Sequence, residues 1–155
     1  MPAPQPPAFD PRDVPESNAT SYPEPHRAAN LHRYNRRLGD HAGLQNYGVV
    51  MTRIVPGGQS SHRHAHSRQD EFIYVLEGEA VLVSDCGEEI LKPGDCAGFK
   101  AGDANGHHLQ NRSNREATLL EIGGRLPGTD LVEYSDINLK WSAARGYTTK
   151  DGAGY

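Results

Sequence analysis

From Tyr47 onward the apolar residues come in short runs broken by turn residues: YGVVMTRIV, EFIYVLEG, EAVLVSD, EEILKPGD, CAGF, HHLQN and ATLLEIGG. Runs of this length, rich in Val, Ile, Tyr and Phe, predict β-strands. Pro56-Gly57-Gly58, Asp85-Cys86-Gly87 and Pro93-Gly94-Asp95 separate them, supplying a fixed φ, a tolerated positive φ or a side-chain cap. Many short strands with little helix make an all-β sandwich, jelly roll or barrel. No internal repeat is evident.

The two ends read differently. Eight of the eleven prolines fall in the first 25 residues, where missing amides and a fixed φ keep out helix and central strand alike. Residues 1–30 are therefore expected to be an extended arm, free or laid across the domain or a neighbouring subunit. RYNRRLGDHAGL reads as a strand, a turn at Gly39-Asp40 and a lead into the next strand, so the barrel is expected over 31–125. The tail, 126–155, is expected to be loop-rich, with Leu131, Tyr134, Ile137 and Trp141 docking on the barrel.

Composition narrows the class further. At 155 residues one core is expected, and a fold of this size removes about 70% of its unfolded surface from water. Only 35% of the residues are hydrophobic, which fits some of the chain lying outside that core. The formal charge is −4, and the 16 Lys and Arg are scattered with no basic stripe, so nucleic acid is not expected as a partner. No apolar run approaches the ~18 residues of a membrane span, and the N-terminus lacks the layout of a secretory signal. A cytoplasmic protein with no membrane partner is expected. Cys86 and Cys96 are too few for a disulfide framework and lack CxxC spacing, so both are expected to be reduced thiols in or beside strands.

The candidate chemistry lies in SHRHAHSRQDEFIYVLEGEA, where His62, His64 and His66 alternate ahead of Glu71. On a strand, residues two apart share a face, so His64 and His66 can converge on one point, and His62 has the same parity. Imidazoles with a carboxylate suit Mn, Fe, Zn, Ni or Co.

The spacing G-x5-H-x-H-x4-E-x6-G, on Gly58, His64, His66, Glu71 and Gly78, closely resembles the first motif of the cupin family. GDCAGFKAGDANGHHLQN is similar to the second, with Gly94, Gly102, His107 and Asn111 in order. It departs in having Lys100 where proline is usual and two extra residues between Gly102 and the histidine. The resemblance covers roughly residues 47 to 123 and implies a double-stranded β-helix, or jelly-roll cupin barrel. It also implies a site for one divalent transition metal on His64, His66, Glu71 and His107. His107 is preferred over His108 because it keeps the family's spacing to Asn111, and neighbours on a regular strand face opposite ways. His62 falls outside the motif, either as a proton carrier at the rim of a catalytic site or as a solvated histidine.

Three imidazoles and one carboxylate leave about two adjacent coordination positions for water or substrate, the arrangement of a catalytic site. The leading expectation is a metal-dependent enzyme using Lewis-acid chemistry on a small oxygenated metabolite, as an isomerase, epimerase, decarboxylase or lyase. An iron-dependent dioxygenase and a non-catalytic sensor holding a small ligand or metal are the alternatives. Arg53, Arg63, Arg68 and Arg112 are candidates for a substrate carboxylate or phosphate, with solvated surface charge as their ordinary role. The resemblance further implies a homodimer, since an extended arm can cover an open sheet edge.

Overall fold

The computed structural model describes residues 7–126 and 128–155, so the first six residues of the expected arm, and Pro127, lie outside the described residues. The strands run in order β1 (Glu16–Ser17), β2 (Arg33–Arg36), β3 (Tyr47–Ile54), β4 (His64–His66), β5 (Glu71–Glu77), β6 (Ala80–Ser84) and β7 (Gly87–Leu91). They continue as β8 (Cys96–Phe99), β9 (His107–Gln110), β10 (Ala117–Gly124), β11 (Leu131–Tyr134), β12 (Lys140–Ser142) and β13 (Gly146–Thr148). A single helical turn, α1 (Leu38–His41), joins β2 to β3. One antiparallel sheet has the order β1-β2-β3-β10-β5-β8, and the other β13-β12-β11-β4-β9-β6-β7. This is the jelly roll that the strand pattern predicts.

Period-two alternation explains how the sheets close on each other. In β5, Ile73 and Val75 are buried while Phe72, Tyr74 and Leu76 are exposed. In β10, Ala117 and Leu119 are buried by the same rule. Those inward residues meet Ile54 of β3, Ala80 and Leu82 of β6, Leu91 of β7 and Leu109 of β9 in one apolar core. Each such side chain contributes about 1.5–3 kcal/mol on burial. The core fills one end of the barrel, and the inward positions towards the other end are polar.

Both glycines of the first motif are required sterically. At Gly58, whose backbone runs against His32, a Cβ would stand 2.7 Å from the His32 carbonyl oxygen. Gly78 turns β5 into β6 with φ of +72°, and a Cβ there would stand 2.2 Å from the Glu116 carbonyl oxygen.

The described part of the N-terminal arm lies on the domain. Glu16 and Ser17 pair with β2 and cover its edge, and Arg53 holds the Glu16 carboxylate in a two-pronged contact at 2.8 and 3.1 Å. The tail is loop-rich, as expected, and within its loops the short strands β11, β12 and β13 extend the second sheet from the edge of β4. Val132, Tyr134 and Leu139 bury there against Tyr22 of the arm, with Ile137, Trp141 and Tyr147 packed around them. Leu131, expected to dock, is exposed because its parity on β11 points outward. Cys86 and Cys96 are free and exposed. Among the described residues, no helix is long and apolar enough to cross a membrane.

Candidate metal centre

Three strands from two sheets bring the motif residues together. β4 pairs with β9 through His64 opposite His107, while Glu71 opens β5 on the facing sheet. The Nε2 atoms of His64 and His66 each lie 3.6 Å from Glu71 Oε2, and His107 Nε2 lies 2.7 Å from the same oxygen. Ligands at about 2.1 Å from one ion stand about 3.0 to 3.4 Å apart when adjacent in octahedral or tetrahedral shells. The spread of 2.7 to 3.6 Å brackets that separation.

The other ring nitrogens explain why the Nε2 atoms point inward. His66 Nδ1 donates to Asp130 Oδ2 at 2.6 Å, His64 Nδ1 to the His62 carbonyl at 2.9 Å, and His107 Nδ1 to the Asn105 carbonyl at 3.1 Å. An oxygen acceptor at each Nδ1 keeps a ring proton there, so that a metal arriving in place of the Nε2–H···Glu71 contacts finds the Nε2 lone pair free. Asp130 is itself fixed, its other oxygen accepting from Arg68 N–H at 2.9 Å and from the Ser67 hydroxyl at 3.3 Å. His64, His66 and Glu71 form a group whose ligand atoms all lie within 4.8 Å of one another, a donor set and spacing that fit a divalent ion; His107 touches Glu71 from outside that group.

Charge in the cluster follows from burial and contact. Burial alone would raise the Glu71 pKa, but hydrogen bonding from His107 and His64 and the nearness of His66 hold it well below the usual carboxylate range. Burial pushes His64 down, and its contact with Glu71 more than offsets this, leaving it above the ordinary histidine value. Glu121, inward-facing on β10, lies deep in the barrel yet borders the cavity beside the cluster. Burial pushes it up to about 7, with the Arg33 charge opposing the shift and the Glu71 charge adding to it.

A sequence model of the cupin domain matches residues 50–123. A crystal structure of a sugar phosphate isomerase from a cupin superfamily, from Silicibacter pomeroyi DSS-3, is 43% identical over 96% of each chain, with a TM-score of 0.89. The chain belongs to the cupin superfamily. A second similar structure, of a candidate sugar phosphate isomerase from Acidithiobacillus ferrooxidans ATCC 23270, is 30% identical over 77% of this chain and 76% of that one, with a TM-score of 0.70. The polyketide cyclase RemF from Streptomyces resistomycificus shares the cupin fold at 22% identity over 84% of this chain and 85% of that one, with a TM-score of 0.67. No curated protein matches this cupin.

Within the cupin barrel, the residues singled out from sequence part company. His64, His66, Glu71 and His107 converge; His62 does not join them. β4 begins only at His64, so the parity shared by the three histidines stops at the strand's first residue. The His62 ring instead packs edge-on against Tyr22, and its Nε2 approaches the His26 carbonyl at 2.8 Å, tying down the arm. His108 turns from the cluster, donating from Nδ1 to the Ser61 carbonyl at 2.8 Å. The two extra residues of the second motif are taken up in the loop before β9, where the Asn105 carbonyl orients His107. Asn111 has a structural task, donating to the Ile54 and Arg115 carbonyls at 2.8 and 2.7 Å.

The candidate substrate arginines are engaged elsewhere. Arg53 is held by Glu16 and Glu116, Arg63 by Asp136 and Asp85, and Arg112 by Glu88. Arg68 borders none of the three cavities that reach a residue of the cluster. Those cavities instead bring up residues that the sequence reading did not single out: Glu121, Arg33, Arg37 and Arg125 on one side and Lys100 on the other. Glu121 carried a readable signal, being a carboxylate at the inward parity of an apolar strand.

Proposed function

We propose that this cupin is a divalent-metal isomerase of small hydroxycarbonyl compounds, of the sugar phosphate type. The observation that carries the reading is the convergence of three imidazoles, each anchored through Nδ1, on one oxygen of Glu71. His64, His66, His107 and Glu71 would hold the ion, which when bound supplies Lewis-acid polarisation of a substrate carbonyl and its neighbouring hydroxyl.

The chain's own residues supply the rest. Isomerisation of a hydroxycarbonyl moves a proton between adjacent carbons, and needs an acid-base group whose pKa lies near the working pH. Glu121, a carboxyl raised towards that range by burial, stands on the wall of the cavity that the cluster closes and is the group placed to carry the proton. Tyr22 and Tyr134 border the same cavity and limit water around the reacting carbons. Two similar structures with sugar phosphate isomerase in their names support the substrate class.

The test is proton NMR in deuterated water with the metal-loaded protein and a panel of aldose and ketose phosphates. Interconversion should occur with deuterium entering the carbon beside the carbonyl, and should stop on chelation and in Glu71→Gln. Absence of turnover across the panel by a fully metallated protein overturns the isomerase reading, and oxygen uptake with a catechol would replace it by the dioxygenase one.

A further inference from the structure

We infer that Arg33, Arg37 and Arg125 form a phosphate anchor at the mouth of the cavity floored by the histidine–glutamate cluster. The cavity holds about 440 Å³ and borders His64, His66, Glu71 and His107 as well as the three arginines. Arg33 is an inward residue of β2, Arg37 follows that strand directly, and Arg125 follows β10, so three segments aim positive charge at one opening. Gly48, Gly123 and Gly124 line the same mouth, where adjacent ends of β3 and β10 carry no side chains to close it.

Two observations bear on Arg33 and Arg37. Among the described residues, Arg33 Nε is buried with no hydrogen-bond partner. Buried polar groups in folded proteins nearly always find one, so this N–H of a permanently charged group marks a place for an acceptor. Secondly, Arg53, Arg63 and Arg112 are each neutralised by carboxylates, whereas among the described residues no carboxylate lies within ion-pair distance of Arg33 or Arg37. Arg125 pairs with Asp40 and donates to the Leu44 carbonyl at 2.8 Å, which fixes its guanidinium at the rim.

Charge selects the ligand class and the direction in which it lies. With Asp40 set against Arg125 and Glu121 partly offsetting Arg33, the rim keeps a smaller positive excess, and its several guanidinium N–H groups suit the three oxygens of a phosphate monoester better than a carboxylate. The cavity on the other side of the cluster, about 320 Å³, sets Lys100 among Glu89 and Asp103 and so repels an anion. A phosphorylated substrate therefore lies with its phosphate towards β2 and its reacting carbons towards the cluster.

This anchor deepens the isomerase reading and rests on it for the sugar portion alone, so its test uses inorganic phosphate and metal-stripped protein. Phosphate titration followed through the Nε–H signals of arginine in ¹⁵N NMR should saturate and shift Arg33, Arg37 and Arg125. Arg37→Ala, an exposed position that the fold does not need, should weaken binding about tenfold or more, the loss of a charge-assisted contact. Arg112→Ala, which removes a surface pair with Glu88, should leave it unchanged. No saturable binding, equal affinity in Arg37→Ala and Arg125→Ala, or acetate competing as well as phosphate would each overturn the anchor. Phosphate binding there by the metal-stripped protein, together with no isomerase activity in the metal-loaded protein, would sink the isomerase reading and leave the anchor standing.

Discussion

Asp130→Asn is a near-isosteric change that tests how the cluster is organised. Both carboxylate oxygens of Asp130 accept: one from His66 Nδ1–H at 2.6 Å, the other from Arg68 N–H at 2.9 Å and the Ser67 hydroxyl. An asparagine replaces one acceptor with an amide donor, so either orientation sets its NH2 against a donor. Facing His66, it drives the imidazole to the other tautomer, putting the proton on Nε2 where a metal needs a lone pair. Facing Arg68, it leaves a backbone N–H unpaired and shifts the loop that carries the aspartate. Outer-shell partners of metal-bound histidines are worth about 10- to 100-fold in affinity, or about 1.4–2.7 kcal/mol. Competition with a chromophoric chelator should show a loss in that range, while circular dichroism of the metal-free variant keeps its β signature. Metal affinity within twofold of the parent would refute the claim that Asp130 sets the His66 tautomer.

Other parts of the structure yield further expectations. In metal-stripped protein, Glu121 has a folded pKa of about 7 against 4.5 when unfolded, so the folded state holds a proton that the unfolded chain has released. Stability therefore falls as pH rises from about 4.5 to 7; Glu121→Gln should be more stable than the parent at pH 8, by on the order of 3 kcal/mol at most, with the gain vanishing near pH 4. Urea unfolding at both pH values checks this, and an equal difference at the two contradicts it. Leu109→Ala, at a site only 1% exposed between the sheets, should cost about 2–5 kcal/mol and lower Tm by about 5–15 °C. A calorimetric change under about 1 kcal/mol would mean the core closes around the gap. Phe72, Tyr74 and Leu76 expose one apolar stripe on the outer face of β5, which the expected homodimer would cover. Sedimentation should then give twice the 16.9 kDa chain mass, falling to one chain in Tyr74→Glu; a monomeric parent contradicts pairing.

What was legible beforehand follows from how locally each feature is encoded. His64, His66 and Glu71 lie within eight residues of one another on a strand, a short turn and the next strand, so spacing and parity suffice to bring them together. The core strands were readable because four or more alternating residues reveal a face. The tail's strands were not, since β12 and β13 span three residues each, too short for a period to emerge, and β11 becomes a strand by pairing with the open edge of β4. Asp130 meets His66 from 64 residues away, a contact that no local pattern announces. Arg33, Arg37 and Arg125 look like ordinary surface charge until the sheet shows which of its faces is inside. His62, which the motif's spacing leaves out, stands apart from the cluster because alternation holds within a strand and the chain is not yet a strand at that residue.

The account depends on four side chains holding one divalent ion. Elemental analysis of the parent protein beside a His64→Ala/His66→Ala double variant, after identical loading and dialysis and with circular dichroism on each, tests this most directly. One ion per chain in the parent, none held in the double variant and the same β spectrum in both is the predicted result, since the apolar core at the far end of the barrel folds independently of the ligands. Full metal occupancy in the folded double variant would contradict it.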